Sequence, residues 1–248
     1  MAYRGELGGL PLPHLRPGMA LLDVGCGPGT ISRDLARRLS PGRVVGIDAS
    51  SVVIEEARAL AADGDLGSVT FEVGDLFDLH FDDDSFDVVH AHQVLQHVGD
   101  PLAALAEMRR VCRPGGVVAV RDSDYPGMRY FPDDSELERA LRAYGAVTRA
   151  NGASWDAGRR LLSWANRSGF TAVHPSASTW CYATPEHRDW WGDLWADRFT
   201  ESALADQLVT YGIASTEDLV SFSAAWRRWA ESPDGWFAVL HGEVICTV

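Results

Sequence analysis

The run Leu21-Leu22-Asp23-Val24-Gly25-Cys26-Gly27-Pro28-Gly29-Thr30 brings a carboxylate, three glycines and a hydroxyl into ten residues. Apolar residues lead into the glycines, and Ile31, Leu35 and Leu39 follow at helical spacing. The pattern is that of a strand, a tight turn and a helix, in which backbone N–H groups can close on a ligand at the helix N-terminus. Two more aspartates fall where further strands should end. Asp48, with Ala49 beside it, could accept both hydroxyls of an adenosine ribose. Asp75, in Gly74-Asp75-Leu76, could accept from an adenine amino group while a neighbouring backbone N–H serves a ring nitrogen. The third glycine comes one residue earlier than in the dinucleotide pattern G-x-G-x-x-G, which counts against a nicotinamide cofactor. Three carboxylates at strand ends suit a ligand carrying sulfonium and ammonium charges and oppose a pyrophosphate.

A second group follows the fourth and fifth expected strands: His90, His92, Gln93 and His97, then Asp122, Asp124 and Tyr125. Neutral imidazole can take a proton from a phenol, enol or amine near pH 7, so His92 and His97 are candidate bases, with Tyr125 as a further catalytic or wall residue. His97 precedes Val98-Gly99-Asp100-Pro101 and could instead bond loop backbone. These histidines lack carboxylates at ligand spacing, so no metal site is expected.

Elements that would position these groups can be read around them. Strands are expected over Ala20–Val24, Arg43–Ile47, Val69–Val73, Phe86–His90 and Gly116–Arg121. Between them Ile31, Leu35 and Leu39 mark one helix. Val53, Ala57 and Leu60 mark the buried face of a second over Ser50–Ala62, and Pro101–Cys112 forms a third with proline in its first turn. This βα alternation predicts a doubly wound α/β fold with a mostly parallel sheet of seven strands. The second half reads as helices over Asp133–Ser168, a strand over Phe170–Tyr182, a helical insertion before the last strand, and a final strand over Phe237–Val248. Within the insertion Thr184-Pro185, Thr200 and Ser215 are the expected helix starts.

The block Leu21–Val120, about two fifths of the chain, resembles the Rossmann-like core of class I S-adenosylmethionine (SAM)-dependent methyltransferases, especially the ubiquinone and menaquinone biosynthesis group. Asp23 to Gly29 matches the first motif, Gly46-Ile47-Asp48-Ala49-Ser50 the second and Gly74-Asp75-Leu76 the third. Phe86-Asp87-Val88-Val89-His90-Ala91 matches the fourth, and Arg113-Pro114-Gly115-Gly116 the turn before the fifth strand. The resemblance implies SAM as cofactor, S-adenosylhomocysteine as product, and backbone near His90 and Ala91 holding the methionine ammonium. The Asn/Asp-Pro-Pro-Tyr/Phe turn of DNA and amide methyltransferases is replaced by Ala91-His92-Gln93-Val94. The cysteine cluster of arsenite methyltransferases is missing too. Rival readings are a SAM-binding protein without methyl transfer, whose cofactor is structural or promotes a cyclisation, a protein or RNA methyltransferase, and a nicotinamide oxidoreductase.

Composition narrows the acceptor. Among the 248 residues the formal net charge is −13, which opposes a phosphate backbone. Arg139, Arg142, Arg149, Arg159, Arg160 and Arg167 read as solvated helix faces balanced by Glu136, Glu138 and Asp156. No apolar run spans a bilayer, and no secretory signal opens the chain, so a single cytoplasmic domain acting on a small molecule is expected. With about nineteen residues before the first strand, the segment Pro185–Trp236 is expected to cap the site. It holds Trp190, Trp191, Trp195, Trp226, Trp229 and Trp236, six of the nine tryptophans. Their i, i+3 and i, i+4 spacing also fits packing of the helices on one another; Tyr3 and Tyr125 are further wall residues. The four separated cysteines read as buried thiols.

Overall fold

A computed structural model describes residues 12–62 and 68–248. Strands β1 (Ala20–Val24), β2 (Arg43–Asp48), β3 (Val69–Val73), β4 (Phe86–His92) and β5 (Cys112–Ser123) alternate with helices α1 (Thr30–Leu39), α2 (Ser51–Ala62) and α3 (Pro101–Val111). The chain continues through β6 (Arg129–Phe131), α4 (Ser135–Ala150), α5 (Ala157–Arg167), β7 (Ala172–Tyr182), α6 (Pro185–Glu201), α7 (Ala203–Thr210), α8 (Thr216–Glu231) and β8 (Trp236–Thr247). It forms two compact units. The first comprises residues up to Ser123, with Ala157–Ser178 and His241–Val248; the second comprises Asp124–Asp156 and Thr179–Leu240.

In the first unit the strand order is β3-β2-β1-β4-β5-β8, and β7 pairs with β8. β1 to β5 run parallel, whereas β8 is antiparallel to β5 from Val117↔Thr247 to Ser123↔His241. The order reverses at β1, which lies between β2 and β4, and a crevice opens at such a reversal beyond the C-terminal strand ends. The alternation of side chains along each strand sorts the core. Leu22, Val24, Val89, Ala91, Val118 and Val120 face Ala104, Leu105 and Met108 of α3 and Leu161 and Ala165 of α5. Leu21 and Val88 face Leu35, Ala36 and Leu39 of α1 on the other side. Each fully buried Leu or Val contributes about 1.5–3 kcal/mol.

Towards the C-terminal strand ends the α1 face turns polar. Asp23 pairs across the sheet with His90, His92 with Arg121, and Arg121 with Glu243. All of these but the half-buried His92 are buried. The loop from β3 to β4 is held by α3: Arg110 donates to the Leu79 and Phe81 carbonyls and to Asp83, while Glu107 accepts from the Leu79 N–H.

The second unit is built on aromatic packing between helices. Trp195 of α6 stacks on Trp226 of α8 at 5.2 Å, and Tyr182 stacks on Trp191 at 4.2 Å. Phe237 completes the cluster against Trp226 and Trp229. The buried Arg188 donates to the carbonyls of Ala230 and Ala183.

Four details differ from the sequence reading. The buried face of α2 is Ile54 and Ala57; Val53 is half-buried and Leu60 exposed, because the helix is turned by one residue towards Phe71 and Cys26. Thr200 does not start a helix: α6 runs through it and its hydroxyl bonds back to the Ala196 carbonyl, so Ser202 caps α7 by accepting from the Leu204 N–H. An eighth strand, β6, pairs Arg129–Phe131 with Trp236–Ala238. Cys181, expected to be a buried thiol, is exposed on β7. The helices expected over 133–168 are two, broken after Asn151, where Gly152 takes a left-handed φ of 73°. Thr184 and Ser215 cap α6 and α8 as expected, the latter in a capping box with Asp218.

Candidate active site

The glycine turn between β1 and α1 owes its shape to its neighbours. Gly25, Gly27 and Gly29 have φ of 62°, 55° and 75°, a region that side chains disfavour. A Cβ on Gly25 would stand 2.5 Å from Val94 Cγ2, and one on Gly29 would stand 2.4 Å from the Phe71 ring, whereas one on Gly27 would meet nothing within 4 Å. The turn is thus pressed against the protein at its ends and open at its centre. Asp48 braces it: Oδ2 accepts from the Gly27 N–H at 3.2 Å and Oδ1 from the Ser50 N–H at 3.0 Å. Asp75 Oδ1 accepts from the Phe77 N–H at 2.8 Å.

Beside this turn lies a cleft of about 340 Å³ at the reversal of strand order. Of the residues singled out by sequence, Gly25, Asp48, Ala49, Gly74, Asp75, Leu76 and His97 line it. Val24, Ile47, Phe77, Val94 and Val98 complete the wall with Gln93; only Gln93 among these stands out from the sequence as a residue able to do chemistry. The apolar members had no chemical signal to mark them, and their place depends on how β4 turns.

Other site residues lie behind the wall. Asp23 is buried and its carboxylate accepts from Ser32 Oγ at 2.5 Å and from His90 Nδ1 at 2.7 Å. Cys26 contributes backbone, its N–H bonding the Ile47 carbonyl, while its side chain packs with Ile54, Ala57 and Phe71. Burial, reinforced by Asp23 and Asp48, pushes that thiol far above its ordinary range. Thr30 opens α1, and Ala91 is buried in the core on the α3 face.

Of the expected catalytic residues, His92 and His97 belong to the first unit, where His97 lines the cleft and His92 does not, and Tyr125 belongs to the second. His92 sits at the end of β4, its ring parallel to His90 at 6.5 Å and near-parallel to His241 at 6.4 Å. Burial holds its pKa well below 6.5, helped by the charge of Arg121, so the ring is neutral at physiological pH. Arg121 in turn is paired with Glu243 Oε1 at 3.1 Å, and Ser176 and Ser178 donate to that carboxylate. His97 is exposed and belongs to the cleft, where its Nε2 lies 3.0 Å from the Gln96 amide nitrogen. Tyr125 lies in the second unit, its ring 4.9 Å from Tyr144 and 6.5 Å from Trp195. Burial pushes its hydroxyl well above the ordinary range, so it stays protonated.

Asp122, a candidate on the acceptor side from sequence, faces the other way. It is wholly buried, and Oδ1 accepts from the Gln96 N–H at 3.1 Å. Tyr3 lies outside the described residues. Most tryptophans of the insertion are core: Trp191, Trp195, Trp226 and Trp229 are buried, while Trp236 is 41% exposed. Within the arginine-rich stretch, Arg139 lies between Glu136 and Asp218 and Arg142 pairs with Glu138, while Arg149 lies over the Trp155 ring. No group of three metal-binding side chains occurs among the described residues.

These features fit SAM. The open centre at Gly27 admits a ligand against backbone, Asp48 and Asp75 stand at two separate points of the cleft, and its charged lining is acidic, suited to sulfonium and ammonium groups.

Comparison with known proteins agrees. Residues 15–169 match the methyltransferase domain family. An uncharacterised methyltransferase of Schizosaccharomyces pombe is 33% identical over 243 residues, covering 94% of this chain and 86% of that protein. The demethylmenaquinone methyltransferase of Staphylococcus aureus is 38% identical over 118 residues, 47% of this chain and 48% of its own length. The phosphoethanolamine N-methyltransferase 2 of Haemonchus contortus, solved with S-adenosylhomocysteine, superposes with a TM-score of 0.59 at 18% identity, covering 94% of this chain and 49% of that one, a likeness of fold. The chain therefore belongs to the methyltransferase domain family and is a SAM-dependent methyltransferase.

Proposed function

We propose that this enzyme methylates an O, N or C nucleophile of a small hydrophobic or aromatic metabolite at the C-terminal ends of β4 and β5. The observation that carries this reading is His92, a half-buried imidazole kept neutral beside the buried Arg121–Glu243 pair. SAM, when bound, supplies an activated methyl group on sulfonium. The chain then has to orient the acceptor, exclude water and take up a proton where the nucleophile carries one. His92 can accept that proton. His97 serves the cofactor side of the same reaction.

The cofactor roles of Asp23, Gly25, Cys26, Gly27, Gly29, Thr30, Asp48, Ala49, Gly74, Asp75, Leu76, His90 and Ala91 belong to this proposal. Asp48 and Asp75 would hold ribose and adenine, and the others would shape the turn and the β4 end. An acidic chain of net charge −13 supports a small acceptor over nucleic acid, and the demethylmenaquinone enzyme among the relatives supports an apolar one. A cytoplasmic role in specialised metabolism is part of the same reading; among the described residues no helix is long and apolar enough to cross a membrane.

The test is transfer of labelled methyl from SAM to a panel of phenols, quinols and isoprenoid alcohols, run beside total RNA and a protein lysate. Label in a small molecule, lost in His92→Phe with S-adenosylhomocysteine binding retained, is the expected result. Label confined to the RNA or protein fractions would sink the proposal.

A further inference from the structure

The wall of the cleft formed by residues 93–98 hangs from the end of β5. Gln93 takes a left-handed φ of 57°, unusual for a side chain other than glycine, and turns the chain out of β4. Its N–H donates to the Arg121 carbonyl at 2.7 Å. One turn further, the Gln96 N–H donates to Asp122 Oδ1 at 3.1 Å, and the Ser123 N–H donates back to Gln96 Oε1 at 3.1 Å. The amide nitrogen of the same Gln96 side chain reaches His97 Nε2 at 3.0 Å. Gln96 and Asp122 are both buried and neither lines the cleft. Gln93, Val94, His97 and Val98, between and beside these pegs, do.

We propose that Asp122 and Gln96 are positioning residues for cofactor binding: their reciprocal bonds clasp the 93–98 turn onto β5 and so fix one wall of the SAM cleft. The proposal rests on the cleft being the cofactor site. A bond donated by the main chain of Gln96 and a bond accepted by its side chain close one ring through Asp122 and Ser123. Loss of either opens the same ring, and the two losses are not additive. A role confined to stability would lower the melting temperature and leave the affinity of the folded protein untouched.

The experiment is calorimetric titration of the full chain with S-adenosylhomocysteine, alongside thermal melting without ligand. Asp122→Leu and Gln96→Met, which keep the side-chain size, are each expected to bind about tenfold more weakly. The double variant is expected within about twofold of the weaker single one. Asp122→Asn keeps an oxygen acceptor and is expected within about threefold of the unsubstituted protein. Unchanged affinity in Gln96→Met would overturn the proposal even if Asp122→Leu failed to fold, and so would full additivity. Absence of binding by the unsubstituted protein would instead overturn the cofactor assignment of the cleft, and this proposal with it.

Discussion

His90 Nδ1 lies 2.7 Å from Asp23 Oδ1, and both side chains are at most 3% exposed. The carboxylate thereby fixes the orientation of the ring, with Nδ1–H donating to it. Asp23 also accepts from Ser32, so its removal leaves two buried donors without a partner. Asp23→Ala is expected to cost on the order of 2–4 kcal/mol, read by urea unfolding. Ser32→Ala, which strands only one acceptor lobe of a carboxylate that keeps His90, is expected to cost about 1 kcal/mol.

Asp48 joins two loops by accepting from Gly27 and Ser50. Asp48→Ala should weaken S-adenosylhomocysteine binding by at least about tenfold, because both the brace and a ribose acceptor go. Calorimetry with NAD as comparison ligand checks this; NAD is expected not to bind. Near-wild-type affinity would remove Asp48 from the site.

The carboxyl of Asp122 is pushed up to about 7 by burial, against the lowering effect of the N–H groups of Gln96, Leu95 and Val94. A carboxyl whose folded pKa is raised contributes stability below its unfolded pKa and loses it as pH rises through the folded value. Between about pH 4 and pH 8 the native protein should therefore lose on the order of a few kcal/mol relative to Asp122→Asn. Denaturant unfolding of both proteins at pH 5 and pH 8 checks the sign: the difference in their stabilities should shift towards the asparagine variant at the higher pH.

His92 shifts the other way. Its folded pKa lies well below 6.5, so the unfolded chain binds the extra proton first and this group destabilises the fold as pH falls below about 6.5. Its C2–H resonance should not move between pH 6 and pH 8. A titration midpoint inside that window would mean the ring is not held neutral as described.

Cys26, Cys112 and Cys246 are buried and Cys181 is exposed. Burial pushes the Cys112 and Cys246 thiols up to about 12. At pH 8 an aromatic disulfide reagent should modify one thiol in the native protein and four after denaturation. Rapid reaction at a second thiol in native protein would show that one of the buried sites opens.

What the sequence made legible was what short-range pattern encodes. β1, the glycine turn and Asp48 and Asp75 are local: strand, turn and carboxylate follow one another, and their spacing survives folding unchanged. The face of α2 was misread because Val52, Val53 and Ile54 are consecutive apolar residues. Only the position of Phe71 decides which of them is buried. The 93–98 wall was invisible for a stronger reason: its shape depends on which residue of β5 sits beside β4. That register is set by a strand pairing across nearly thirty residues, Val88↔Val117 onward. Asp122 looked like an acceptor-side acid for the same reason, since alternation puts it on the opposite face from Arg121.

The placement of β8 has a consequence for biosynthesis. Residues 241–247 run antiparallel beside β5, and β7 pairs with β8 in turn, so β7 has no sheet partner until they arrive. As the chain leaves the ribosome, β1 to β5 can assemble early, but Arg121 must wait for Glu243 and β5 keeps an open edge through the synthesis of more than a hundred residues. Folding of this sheet is therefore completed only late in translation, and a ribosome stalled before residue 241 would display an unpaired β5 to any chaperone within reach.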